Sequence, residues 1–192
     1  KYTVYDGVQP NPSIENIEEA RRLYLKNGCE GIIAFGGGSP MDCAKAAGAR
    51  VMNPNQSVSQ MRGELKIRHK LPPFFAVPTT AGTGSETTLA AVVTNMQTHE
   101  KYAINDPKLR PKYAVLDPEL TTGLPQKITS TTGMDALTHA VEAYIGLSGT
   151  KSTNDYAEKA TKLIFENLET AYNDGKNLQA RENMLVASFY AG

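Results

Sequence analysis

In the stretch STTGMDALTHAVEAYIG, Asp135 and His139 are residues of metal-holding type standing four apart. On a helix that spacing brings both side chains to one face, one turn from each other. A carboxylate oxygen and an imidazole nitrogen so placed can chelate one borderline divalent cation, Fe²⁺ or Zn²⁺. By spacing alone such a pair is more often solvated or capping, and two donors do not close a coordination shell. Glu142, one turn further on, reads as a surface acid, and His69 and His99 sit in polar loops as exposed side chains.

A second chemistry is written in IIAFGGGSPMDCAKAAG, where three glycines separate an apolar run from a helix start. Ser39 can cap that helix, Pro40 suits its first position, and Asp42 its third, where an acid answers free amides. Glycines let the backbone approach a pyrophosphate, and the helix amino end presents unpaired N–H groups with partial positive charge. The alternative is a tight turn that binds nothing, and the spacing is not the GxGxxG fingerprint of an ordinary Rossmann domain. The loop VPTTAGTGSE from Val77 to Glu86 adds hydroxyls at Thr79, Thr80, Thr83 and Ser85 among small residues that admit a ribose or phosphate.

These groups need elements to hold them. Tyr2 to Tyr5 reads as the tail of a strand, and Asn11-Pro12-Ser13 starts a helix running through Ile14, Ile17 and Leu23 to Gly28. Gly31 to Phe35 is a continuous apolar run suited to a strand buried on both faces, and Phe74 to Val77 is another. Residues 53 to 70 read as an exposed polar excursion. Ala91 to Thr94, Tyr102 to Ile104 and Tyr113 to Leu116 are further strands. Strands alternating with helices favour a parallel sheet, with both loops leaving the carboxyl ends of its strands, where open α/β sheets bind ligands. Beyond Pro125 apolar residues recur at helical spacing through Leu137, Val141 and Tyr144, then Leu163 and Ile164, then Met184 to Phe189. The reading is therefore α/β, with a domain over residues 1–120 and the start of an all-helical one over 121–192.

Bulk properties exclude several partners. Twenty lysines and arginines balance twenty aspartates and glutamates, so no basic excess is available to collect phosphates along a nucleic acid. No apolar run reaches the ~20 residues that span a bilayer, no signal peptide is visible, and two cysteines without CxxC spacing give no disulfide framework. Cytoplasmic residence and a small-molecule partner are the expectation.

The segments DGVQPNPSIENI, GGGSPMDCAK, VPTTAGTGSE, INDPKLRPKYAVLDPELTTGLP, TTGMDALTHAVEAYI and NLQARENMLVASFYAG, in this order, resemble the iron-containing alcohol dehydrogenases. The resemblance implies an amino-terminal α/β domain for NAD, with NADP as the alternative. It also implies a dehydroquinate synthase-like helical domain for Fe²⁺, with Zn²⁺ as the alternative, and chemistry in a cleft between them. Gly37, Gly38 and Ser39 would hold the pyrophosphate. Thr79, Thr80 and Thr83, together with Asn11 and Lys101, would contact the cofactor elsewhere. Asp135 and His139 match two of four metal ligands; the other two would be histidines beyond Gly192, and the family's opening strand and helix are not in this sequence. The chain is thus expected to be an internal fragment, inactive alone, of a homodimer or higher oligomer. The intact protein would act on a small primary alcohol, diol or aldehyde, with no separate catalytic residue assigned. The competing readings are a zinc-dependent polyol dehydrogenase or dehydroquinate-synthase-like enzyme, and a non-catalytic nucleotide-binding module.

Overall fold

A computed structural model describing all 192 residues divides the chain into two compact units. The first comprises Lys1–Val77 and Thr88–Ala114, the second Pro78–Thr87 and Val115–Gly192. The segment Pro78–Thr87 therefore belongs with the helices, although along the chain it interrupts the α/β part.

The first unit opens with α1 (Ile14–Lys26), begun by a capping box in which Ser13 and Asn16 each accept the other's backbone N–H. There follow β1 (Ile32–Gly36), α2 (Gly38–Met52), β2 (Gly63–Glu64), β3 (Phe74–Pro78), β4 (Ala90–Asn95), β5 (Glu100–Asn105) and β6 (Tyr113–Ala114). One three-stranded sheet has the order β1-β3-β6, with β3 parallel to β6. The other has the order β2-β5-β4, with β2 parallel to β5 but β4 antiparallel to it. An antiparallel pair needs only a short connection, and four residues suffice here, His99 among them in the left-handed region at φ 56°. The core lies between α1, α2 and the β4–β5 pair, around Ile17, Ala46, Ala49, Val93 and Ile104. Arg50, near the end of α2, pairs with Glu18 of α1 and donates to the Asn53 carbonyl.

Three expectations change. Tyr2 to Tyr5 forms no strand, because its backbone finds no neighbouring strand to bond. β1 is not buried on both faces: Ala34 is buried against α2, but Ile33 is 72% and Phe35 57% exposed, since in this structure α2 covers one face of the strand and the other is left to solvent. Residues 53–70 are not a solvated excursion either, as Val58, Met61 and Ile67 lie in the core. Their aperiodic spacing hid them. The loop can be buried because side chains satisfy its backbone: Asn53 accepts from the amides of Arg68 and His69, and Asp106 from that of Ile67.

The second unit is helical, as the periodicity beyond Pro125 requires. It contains α3 (Gln126–Ile145), α4 (Lys151–Asn173) and α5 (Leu178–Ala191), and α4 packs on both of the others. At Gly133 of α3 the absence of a side chain leaves room for the Leu168 side chain of α4 and the Met184 side chain of α5. Arg181 of α5 is buried and donates from Nε to the Gly175 carbonyl (3.0 Å) and from Nη1 to Thr129 Oγ1 (2.8 Å). Burial pulls its guanidinium below the usual value, opposed by the charge of Asp174. Val141 of α3 is 44% exposed. No helix is long and apolar enough to cross a membrane.

Candidate functional site

The glycine turn forms where β1 meets α2. Gly36 has φ 144°, a conformation L side chains rarely adopt, and a Cβ there would meet Pro40 Cγ at 2.7 Å. Gly37 is the N-cap and offers no side chain to the helix start. The first bond of the ladder runs from the Met41 amide to the Gly37 carbonyl (3.3 Å), leaving the amides of Gly38 and Ser39 ahead of it. The start thus falls two residues earlier than Ser39 and Pro40 suggest. Proline is tolerated in this first turn because its missing N–H would have had no intrahelical partner. Ser39 is not the cap, and the Asp42 carboxylate accepts from the Val92 amide of β4 (3.0 Å).

Three residues remote in sequence meet at this turn. The Asn11 amide donates to Ser39 Oγ (3.2 Å), and Lys101 Nζ donates to Asn11 Oδ1 (2.7 Å). Asn11 itself is left-handed at φ 58°, a conformation asparagine accepts more readily than most residues. Its turn is tied to β4 through the Thr94 amide and the Pro12 carbonyl (2.9 Å), and Thr94 sits opposite Lys101 in the β4–β5 ladder. Asn11 and Lys101 are exposed and Gly37, Gly38 and Ser39 half-buried, so a solute reaches all five. Free amides, an ammonium, a hydroxyl and glycines without side-chain bulk fit a dinucleotide's pyrophosphate and neighbouring polar atoms.

The second loop, in the second unit, is shaped by packing. A Cβ on Gly82 would stand 2.6 Å from Thr132 Cβ and 2.8 Å from the Thr132 carbonyl of α3. On Gly84, at φ 58°, it would stand 2.8 Å from the Ser188 carbonyl of α5. These glycines therefore let the loop lie against two helices, a role the sequence alone did not reveal. Thr79, Thr80 and Thr83 are half-buried, and Thr83 Oγ1 accepts from the Ser85 amide (3.3 Å).

Asp135 and His139 lie on one face of α3 with Oδ1 and Nε2 3.8 Å apart, and their side chains are 44% and 36% exposed. Two donors each about 2.1 Å from one ion stand about 3.4 Å apart in a tetrahedral shell, so the two side chains would have to close by a few tenths of an ångström to share a cation. No third His, Cys, Asp or Glu joins them. Glu142, His69 and His99 are exposed, as the sequence suggests.

The family model described as iron-containing alcohol dehydrogenase matches residues 1–118, and the model of the carboxyl-terminal part of that family matches residues 129–192. The chain belongs to the iron-containing alcohol dehydrogenase family. It is 43% identical over 189 residues to 1,3-propanediol dehydrogenase of Klebsiella pneumoniae, covering 98% of this chain and 49% of that protein. An alcohol dehydrogenase structure from Oenococcus oeni superposes with a TM-score of 0.97 at 42% identity, over 100% of this chain and 50% of that one. Sulfoacetaldehyde reductase from Bifidobacterium kashiwanohense, solved in complex with NAD⁺, matches with a TM-score of 0.90 at 37% identity, over 99% and 50%. The chain spans about half the length of the relatives it matches.

Within this alcohol dehydrogenase fold, sequence reasoning passed over Lys45. It is fully buried in α2, and its Nζ donates to the Thr88 carbonyl (3.0 Å), Thr88 Oγ1 (2.9 Å) and the Ala90 carbonyl (3.0 Å). The available signal was a lysine set in the otherwise small and apolar run CAKAAGA, where a charge cannot be buried without partners.

Proposed function

We propose that the intact protein is an alcohol dehydrogenase moving a hydride between NAD(P) and a small primary alcohol, diol or aldehyde. The observation that carries this is the meeting of Asn11, Ser39 and Lys101 at the amino end of α2, in a chain of the iron-containing alcohol dehydrogenase family. Gly37, Gly38 and Ser39 hold the pyrophosphate through backbone amides and a hydroxyl, and Lys101 lends a positive charge beside it. Lys101 also keeps Asn11 oriented. Thr79, Thr80 and Thr83 are carried as further cofactor-contacting positions from the family pattern. Asp135 and His139 would hold an iron ion, with zinc as the alternative, each giving one donor from the same face of α3.

When bound, the nicotinamide accepts or returns the hydride and the divalent ion supplies Lewis acidity to the alcohol or aldehyde oxygen. The glycines of the turn leave the dinucleotide's phosphates in contact with backbone. Dimerisation is part of the proposal on family grounds and is tested by light scattering.

The test uses the intact protein prepared without oxygen. His139→Ala should lose bound metal and alcohol-dependent NAD(P)⁺ reduction while its dissociation constant for NADH or NADPH stays within about twofold, the pattern of a group that acts on chemistry and not on cofactor binding. Full turnover by metal-stripped His139→Ala protein would overturn the reading.

A further inference from the structure

We infer that Lys45, with Asp42, is a positioning residue for the dinucleotide site: it clips α2 to β4 so that the helix amino end meets Asn11 and Lys101 in binding register. The inference rests on the dinucleotide reading above.

The amino end of α2 and the Asn11–Lys101 pair come from different segments, and both refer to one strand. On one side, β4 pairs with β5, placing Thr94 opposite Lys101, which holds Asn11. The same Thr94 donates its amide to Pro12, next to Asn11. On the other side, β4 and the residues just before it are gripped by α2. Asp42 accepts from Val92, and Lys45 donates to Thr88 and Ala90. The ring closes where the Asn11 amide meets Ser39 Oγ.

Asp42 and Lys45, three apart, project from neighbouring positions on one side of α2, and Lys45 stands about 10 Å along the helix from Gly38. Its ammonium donates to three acceptors of the segment Thr88–Ala90. That arrangement fixes both the rotation and the axial position of α2 relative to β4. The bond from Asn11 to Ser39 is long and exposed, at 3.2 Å, and cannot set that register by itself. A neutral side chain at position 45 would leave the single bond from Val92 to Asp42 as the directional tie along this face, since apolar contact is not directional.

The test compares the intact metal-loaded protein with Lys45→Met and with the milder Thr88→Val, which removes a single acceptor and leaves the ammonium two carbonyls. Folding is checked by far-ultraviolet circular dichroism and urea unfolding, dinucleotide affinity by titration of NADH and NADPH, and turnover with 1,3-propanediol as the probe alcohol. Lys45→Met should raise the dissociation constant and KM for the dinucleotide about tenfold or more, with kcat at saturating dinucleotide and metal content within about twofold. Thr88→Val should shift affinity in the same direction by about two- to threefold, as expected for losing one charge-assisted bond of three.

A Lys45→Met protein that unfolds earlier in urea but binds dinucleotide normally once folded overturns the inference, since Lys45 would then serve the fold alone. If Lys45→Met does not fold, normal affinity in Thr88→Val overturns it. A wild-type protein that binds neither NADH nor NADPH sinks the dinucleotide reading itself, a result distinct from variants that bind as well as the wild type.

Discussion

Replacing Gly84 by alanine separates two explanations for the glycines of the loop between β3 and β4. If they exist to admit a cofactor, alanine should weaken binding and spare the fold. The structure says otherwise. Gly84 is left-handed at φ 58°, which costs an alanine roughly 1–2 kcal/mol. Its added Cβ would also stand 2.8 Å from the Ser188 carbonyl and 2.9 Å from Gly192 Cα. Carbon contacts are comfortable at about 3.5–4.0 Å, and these neighbours are backbone atoms that cannot rotate aside. Overpacking of this kind costs about 1–3 kcal/mol. Together the two effects predict a loss of about 2–5 kcal/mol in unfolding free energy, if they add. Gly82→Ala lacks the dihedral penalty but meets Thr132 Cβ at 2.6 Å, so about 1–3 kcal/mol is expected. Urea unfolding of the intact protein without cofactor, followed by circular dichroism, reads both. A Gly84→Ala protein within about 0.5 kcal/mol of the wild type, yet impaired in NADH binding, would refute the packing argument.

Other perturbations test other parts of the structure. Lys101→Met, at an exposed position, should leave the urea midpoint unchanged and weaken NADH binding about five- to tenfold by loss of a charge-assisted contact; unchanged affinity in calorimetry would remove Lys101 from the site. Arg181→Met strips buried acceptors at Gly175 and Thr129 of their donor and should cost about 2–4 kcal/mol of stability, whereas a loss under about 1 kcal/mol would mean the cavity admits water. Cys43 is pushed up to about 12, mainly by burial and secondarily by Asp42. Its thiol therefore stays protonated in the fold after the unfolded chain has ionised. Stability should then fall as pH rises from about 9 toward 12, by about 1.4 kcal/mol per unit from this group, and Cys43→Ala should flatten that slope; an identical slope in the variant would show that Cys43 ionises in place.

The local features of the candidate site were legible in the sequence. Asp135 and His139 could be paired because a helix has one period and four residues slightly exceed a turn, and the glycine turn could be found because φ near 144° is open to few residues but glycine. Both are local facts, carried by neighbours in the chain. Ile33 and Phe35 show where local reading misleads: an apolar run signals a buried strand, but whether its second face is covered depends on elements the run does not contain.

What tertiary structure alone decided is the set of meetings between distant segments. Nothing in the spacing of Asn11, Ser39 and Lys101 announces that they touch, because their contact follows from the β4–β5 register and from how α2 lies on β4. Lys45 illustrates the same point. Its type and position were plain in the sequence, but three acceptors 43 to 45 residues away become its partners only when the chain closes over it. Local geometry selects which residues can do chemistry; packing and strand register decide which of them are brought together.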